Sequence, residues 1–470
     1  MLKTSLTTDM TTVRERIAGV KQHVPLLNGE TRTYINFDNA ASTPALSDVL
    51  DTVTTFMNWY ASVHRGTGFK SRVATQAYDD ARQIVAQFIG ANPREHVVIF
   101  GKNTSEAINK LARRFPLTQD DVVLVSLLEH HSNDLPWRSA ATVDHVTANA
   151  LGELDEADFD RKLDKYKGRL KLVAITGASN VTGFLPPIHR LAEKAHAAGA
   201  QILVDAAQLA PHRPIAMGAL DDPAHLDYVA ISAHKMYAPF GTGALIGRRD
   251  TFERGEPDYS GGGTIEIVTV DSIEWAEPPD RDEAGSPNVV GAVALAAAIK
   301  TLQKIGMTAI ADHEAELTAY TLERLSTLDG VRIYGDPNPA STANRLGVVP
   351  FTVKGLSHFL VAAILGAEFG IGVRNGCFCA HPYLLHLLGL SPDEADAVRQ
   401  RMMEHDRSDM PGLVRMSFGM YNTAEEVDVL IDAVQRIARG KYYGRYQQDT
   451  ATGEYRVVNW NPDLSHYFRL

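Results

Sequence analysis

The sequence predicts an α/β protein: a large domain built on a mostly parallel, doubly wound sheet, followed by a smaller α+β C-terminal domain. Three observations carry this prediction. From about residue 80, short β-branched runs alternate with longer stretches of helical period, the pattern of βαβ units. Past Gly285 the texture changes to longer helices and then to a looser mixture of strand and helix. The length, 470 residues, leaves room for more than one domain at the usual size of about 150 residues each.

The elements follow in order. Residues 1–34 are expected to form an N-terminal arm that packs on the small domain, and 35–295 the large domain. Within it, strands are predicted at 97–100, 122–126, 172–176, 201–204, 228–231 and 243–246, each a short apolar run suited to a sheet covered on both faces. Helices are predicted at 105–114 and at 188–198, the second closed by Gly199 as a C-terminal stop. Helices at 289–305 and 308–325 cross into the small domain, 296–440, with a further helix after Pro392. The tail, 441–470, is rich in Tyr and turn residues, lacks helical period, and is expected to wrap onto the body or a partner.

Composition narrows the function. Lys plus Arg number 46 against 57 Asp plus Glu, a net charge of −11, so no global positive field gathers nucleic acid or anionic membrane. The longest apolar run, Val289 to Ile299, falls well short of the roughly 20 residues that span a bilayer and reads as a buried helix. The first thirty residues hold no apolar stretch of signal-peptide length, and the only cysteines, Cys377 and Cys379, make no disulfide framework. A cytoplasmic protein is the expectation.

The most informative stretch is QILVDAAQ, followed by DYVAISAHKMYAPFGTG. One strand ends in Asp205 and a later one in Ser232, His234 and Lys235. A carboxylate there suits a protonated ring nitrogen, and the lysine suits an imine with an aldehyde cofactor. Taken singly, an Asp at a strand end is usually a cap and a Lys after a strand is usually surface. Their spacing, with Gly241 and Gly243 just beyond, makes chance a poor account. In VVIFGKNTSEAIN, Asn103, Thr104 and Ser105 open a helix whose free N–H groups and hydroxyls form an anion cradle, or else an ordinary N-cap. A nucleotide P-loop is excluded, because His96 stands five residues before Gly101 and Asn103 follows Lys102. In SLLEHHSNDLPW, adjacent His130 and His131 do not face one another on a helix, and no third metal ligand is apparent. In VRNGCFCAHP, Cys377 and Cys379 are either small buried hydrophobes, reactive thiols beside Arg374 and His381, or two members of a three-ligand metal set. No metal is expected.

These segments, with YINFDNAASTP at 34–44, SVHRGTGFKS at 62–71, GASNVTG at 177–183, EAGSPNVVG at 283–291 and LVRMSFG at 413–419, occur in the order found in class V aminotransferase-superfamily enzymes of fold type I. The chain most resembles the group II cysteine desulfurase and selenocysteine lyase branch over roughly residues 34–439. The spelling CFC is also similar to the molybdenum-cofactor sulfurases.

The resemblance implies pyridoxal 5'-phosphate as cofactor, with Lys235 as the Schiff-base lysine and Asp205 at the ring nitrogen. Gln208 would hydrogen-bond the ring hydroxyl, His130 would stack on the ring and assist proton transfer, and Asn180 would lie near the ring hydroxyl and the substrate carboxylate. Thr104, Ser105, Ser232 and His234 would hold the phosphate. Ser286 would contact the phosphate from the other subunit of a homodimer, and the loop with His64 and Arg65 would reach the partner's site. Arg415 would bind the substrate carboxylate, its bidentate fork suiting it better than lysine. Arg374 would bind that carboxylate or brace the loop, and Cys379 would be the nucleophile. The implied activity is removal of sulfur from L-cysteine, giving L-alanine and a persulfide on Cys379 for a protein acceptor. Selenocysteine lyase, another C–S lyase, aminotransferase and epimerase chemistry are the alternatives on the same scaffold, and a non-catalytic sulfur-relay protein is the alternative outside it.

Overall fold

A computed structural model describes residues 10–64 and 66–470. The expected Arg65 and the first nine residues of the arm lie outside the described residues. The large sheet has seven strands: β1 (His96–Gly101), β2 (Val122–Ser126), β3 (Thr142–Val146), β4 (Leu170–Thr176), β5 (Gln201–Asp205), β6 (Tyr228–Ser232) and β7 (Gly243–Arg248). Their spatial order is β1-β7-β6-β5-β4-β2-β3. All neighbours pair in parallel except β7, which runs antiparallel to both β6 and β1.

Alternate residues of each strand enter different cores, as the period-2 pleat requires. Val98, Leu124, Val173, Ile202, Val229 and Ile246 face one core, while Val97, Val125, Leu172, Leu203, Ala230 and Leu245 face the other. Helices α1 (Ser47–Met57), α2 (Phe69–Phe88), α4 (Ile188–Ala197) and α5 (Val289–Ile305) bury residues in the first core, and α3 (Thr104–Arg114) covers the second. All six predicted strands form. The seventh, β3, escapes sequence reading because TVDHV is polar and only Val146 is buried, as suits an edge strand.

Helix α5 is apolar on nearly every face and buried, as expected of a core helix. It meets α6 (Met307–Leu325) at a bend of 74° through Gly306, whose φ of +99° favours glycine. The expected division near 295 therefore falls within α5, which packs in the first core through to Ile305. No single helix among the described residues is long and apolar enough to cross a membrane.

A third core, holding Leu317, Phe351, Ile364, Met416 and Leu430, lies under a four-stranded antiparallel sheet. Its strands are β8 (Val331–Ile333), β9 (Val348–Val353), β10 (Arg374–Gly376) and β11 (Leu413–Ser417), in the order β8-β9-β11-β10. Helices α7 (His358–Phe369) and α10 (Ala424–Ala438) pack against it. Between β10 and β11 run α8 (His381–Leu388) and α9 (Pro392–Met403). Helix α9 is the one expected after Pro392, opened by a Ser391–Glu394 capping box and burying none of its residues.

The arm touches both parts. Val13 and Ile17 enter the first core, while Leu27 N–H donates to Ala367 O and Ile35–Asn36 pairs in parallel with Ile371–Gly372. The tail folds back on α7, where the Glu368 carboxylate accepts from the Tyr443 and Gly444 amides and the Tyr446 hydroxyl.

Candidate active site

The C-terminal ends of β2, β4, β5 and β6 meet the N-terminus of α3 and one edge of the small domain around a cavity of about 470 Å³. In a doubly wound sheet this is where ligands bind. Twelve of the expected residues line it: Lys235, Asp205, Gln208, His130, Thr104 and Ser105 on the large-domain side, joined by Ser232, His234, Asn180, Arg374, Cys379 and Arg415. His64 and Ser286 do not. His64 instead borders a separate hollow of about 250 Å³ with Gly285 and Pro287, the neighbours of Ser286.

One end of the cavity is built to receive an anion. Helix α3 starts at Thr104, with the Asn103 side chain capping Glu106 N–H. Gly243 allows this approach, since a Cβ there would lie 2.7 Å from the Asn103 backbone. The Ser232 hydroxyl accepts from Thr104 N–H at 3.4 Å and meets His234 Nδ1 at 3.0 Å, and the Ser105 hydroxyl meets that of Ser132 at 2.5 Å. Thr104 Oγ1 is buried with no hydrogen-bond partner among the described residues. An orphaned hydroxyl at a helix N-terminus among other hydroxyls is what a bound phosphate would satisfy.

The floor carries the titratable pair. Asp205 ends β5, buried, and Ala207 N–H donates to its carboxylate at 3.0 Å. Burial raises its pKa, against the opposing pull of that hydrogen bond and of Lys235. Lys235 closes a short 3₁₀ turn after β6. Burial brings its amine down to about 8, with the Asp205 charge opposing. His130 and His234 are each pushed to about 4, first by burial and then by the Lys235 charge, so both are neutral at pH 7. His130 Nδ1 accepts from Ser132 N–H at 3.1 Å, which leaves the ring hydrogen on Nε2. Gln208 donates to Ala40 O at 2.7 Å.

The opposite wall is cationic. Arg415 in β11 donates to Asn180 O at 2.8 Å and to Asp38 Oδ1 at 3.1 Å, and its guanidinium lies 4.8 Å over the Phe378 ring. Its Nε is buried without a partner among the described residues, and burial brings its pKa to about 10. Asp38 Oδ2 also pairs with Arg374 at 3.0 Å, so one carboxylate holds two arginines.

Cys379 stands exposed on the loop after β10. Phe378 and Cys379 have φ of +53° and +55°, the left-handed region that costs non-glycine residues about 1–3 kcal/mol each. Three contacts hold the loop. Asn180 Nδ2 donates to Phe378 O at 2.7 Å, His131 N–H donates to Cys379 O at 2.8 Å, and His381 N–H donates to His131 Nε2 at 3.3 Å. The rings of His131 and His381 stack 5.0 Å apart and parallel within 4°. Cys377 differs from its neighbour: it is buried, its thiol donates to Pro411 O at 3.3 Å, and burial pushes the thiol up to about 12.

The class V aminotransferase family model matches residues 35–430. A probable cysteine desulfurase of Halobacterium salinarum is 34% identical over 429 residues, 89% of this chain and 95% of the relative. The chain belongs to the class V aminotransferase family, in its cysteine desulfurase branch. Among solved structures, the apo cysteine desulfurase of Thermococcus onnurineus superposes with a TM-score of 0.77 at 34% identity, covering 90% of this chain and 99% of the other. A cysteine desulfurase of Escherichia coli gives a TM-score of 0.75 at 27% identity, covering 93% and 99%.

The family implies pyridoxal phosphate, and the residues fit it: an orphaned hydroxyl in an anion cradle, a neutralisable lysine and a buried carboxylate share one cavity. Sequence reasoning missed Asp38 and His131 as parts of a desulfurase-branch site. The Asp38 signal lay in NFDNAA, but its role depends on two arginines far away in sequence.

Proposed function

We propose that this chain is a pyridoxal-phosphate-dependent cysteine desulfurase that takes sulfur from L-cysteine, releases L-alanine and carries the sulfur as a persulfide on Cys379. The observation that carries this is a single cavity in which the Lys235–Asp205 pair forms the floor, Arg415 a wall, and Cys379 the rim. Thr104, Ser105, Ser232 and His234 would hold the cofactor phosphate, with Gln208, His130 and Asn180 around the ring. When bound, pyridoxal phosphate supplies an aldehyde for amine capture and a ring that accepts electrons from the substrate Cα.

This chain's residues do the rest. Arg415, with a donor to spare at Nε, binds the substrate carboxylate beside Asn180, and Arg374 braces the loop through Asp38. Lys235 Nζ, with a pKa of about 8, takes and returns the proton at Cα. Asp205 keeps a hydrogen at the ring nitrogen. The Cys379 thiolate attacks the substrate sulfur: an S–S bond forms, the Cβ–S bond breaks, and its electron pair stays with the carbon fragment, which is protonated to alanine. Sulfur then passes to a protein acceptor.

A homodimer completes the reading. It is supported by His64 and Ser286 both lying apart from the cavity of their own chain, with His64 and the neighbours of Ser286 at a hollow bordered by Ile265 of an exposed apolar hairpin whose Ile267 and Val270 face solvent. A reducing cytoplasm suits the two free cysteines. The test pairs an absorbance spectrum with alanine and sulfide assays on L-cysteine. A yellow protein that releases alanine, and loses that activity but not its colour in Cys379→Ala, is expected. Turnover that survives Cys379→Ala would move the assignment to another class V reaction, and a protein that never binds the cofactor would overturn it.

A further inference from the structure

At the end of the large sheet opposite the cavity, where β5 and β6 begin, His196, His225 and Asp227 converge, with one candidate ligand atom from each lying within 4.8 Å of the others. His196 sits in the last turn of α4, where the helix carbonyls favour a cation. Asp227 immediately precedes β6, so the cluster lies roughly 16 Å from Ser232 along the strand, five residues on at about 3.3 Å per residue.

The hydrogen count at this cluster is unusual. His196 Nδ1 lies 2.7 Å from Pro223 O, and His225 Nδ1 lies 2.6 Å from Asp222 O. Carbonyls only accept, so both Nδ1 atoms carry hydrogen. Both Nε2 atoms then face another acceptor, the Asp227 carboxylate, at 2.8 and 3.2 Å. A neutral imidazole has no second hydrogen to give. The contacts are satisfied only when each Nε2 holds a proton or when both lone pairs share a metal ion. Two protons would place two imidazolium rings in a stack 4.1 Å apart, with the Arg248 guanidinium 3.3 Å from the same carboxylate. One divalent ion replaces the two protons without changing the net charge, and it becomes a common partner for both Nε2 lone pairs once the rings, now stacked within 17° of parallel, tilt toward it.

We propose that His196 Nε2, His225 Nε2 and the Asp227 carboxylate form a binding site for a divalent transition-metal ion of the zinc class, completed by water. Two imidazoles and a carboxylate are a set zinc accepts, at about 2.0–2.2 Å per ligand. Ligands at those lengths in tetrahedral array stand about 3.3 Å apart, against 2.8 and 3.2 Å from each Nε2 to the carboxylate. The second shell is already in place: a carbonyl orients each ring through Nδ1, and Ile202 N–H and Arg248 donate to the carboxylate. Arg248 is not committed to Asp227, because it also grips Asp250. His196 is partly exposed and gives an ion a way in, while Asp227 is fully buried. The site is independent of the desulfurase reading, and its distance from the cavity assigns it to structure rather than turnover.

The test is equilibrium dialysis of the purified holoprotein against Zn²⁺, followed by metal quantification, for wild type, His196→Ala, His196→Gln and Cys379→Ala. One zinc per chain is expected in wild type and Cys379→Ala, and none above background in either His196 variant. Circular dichroism of the His196 variants shows that they are folded, and zinc-edge absorption of the wild type is expected to show two imidazole ligands. Zinc retained equally by wild type and the His196 variants, zinc lost with Cys379 rather than His196, or no zinc in wild type would each overturn the proposal.

Discussion

Replacing His131 with Ala tests how the nucleophile is held. The His131 ring does not line the cavity, so its loss leaves the cofactor and substrate surfaces intact. What goes is the acceptor for His381 N–H and the paired rings, whose His381 Nδ1 and His131 Nε2 lie 3.1 Å apart, while the main-chain bond from His131 N–H to Cys379 O remains. A neutral hydrogen bond contributes about 0.5–1.5 kcal/mol and an aromatic pair a similar amount, about 2 kcal/mol together. That opposes a loop carrying two left-handed residues at about 1–3 kcal/mol each, so the loop is near enough to balance for the loss to show. At about 1.4 kcal/mol per factor of ten, the equilibrium holding Cys379 over the cavity falls about thirtyfold. The assay is alanine release at saturating L-cysteine, read beside the absorbance of the bound cofactor. The expected result is a fall in kcat of ten- to thirtyfold, to order of magnitude, with an unchanged spectrum. His131→Gln, whose amide oxygen can accept from His381, should recover part of it. A kcat within about twofold of wild type, or a loss matched by loss of cofactor, would refute the reasoning.

Cys377→Ala is expected to leave alanine release within about twofold of wild type, because a buried thiol pushed up to about 12 supplies no thiolate; the cost should appear instead as about 1 kcal/mol of stability in denaturant melts. The rate at which cofactor-free protein captures added pyridoxal phosphate should climb through about pH 8 and level off above it, following the neutral fraction of Lys235, as stopped-flow absorbance can read. The linked sign is that the cofactor-free fold gains stability as pH rises from about 8 toward 10.5, since over that window the unfolded lysine binds a proton that the folded one does not.

The parallel strands were legible because sheets buried on both faces need continuous apolar runs, and VVLVS, QILV and YVAIS are nothing else. The edge strand TVDHV was not, because half of its surface faces water and its residues carry no pattern. The cavity residues were readable wherever a motif fixed spacing along one strand–turn unit, as with Ser232, His234 and Lys235. Asp38 was hidden because its role arises from Arg374 and Arg415, which reach it only after the small domain folds onto the large one. The His196–His225–Asp227 cluster was hidden for the same reason: the end of α4 meets the loop that leads into β6, and no short motif records that meeting.

The strand at Ile35–Asn36 pairs with Ile371–Gly372, more than three hundred residues later, and the tail beyond 441 closes on the same helix, α7. Residues 35–36 and 443–446 are thus stitched into the same part of the fold. A fragment cut at the bend after α5 would lack a strand and leave Leu27 and Ile35 without their backbone partners. During synthesis residues 27–36 must wait for residues 367–372 before their pairing exists, a high contact order that sets folding speed by loop closure rather than by local propensity. The wall that carries Arg415 and the rim that carries Cys379 both belong to that late-forming part, so the anion cradle can be assembled on the ribosome well before the nucleophile has anywhere to stand.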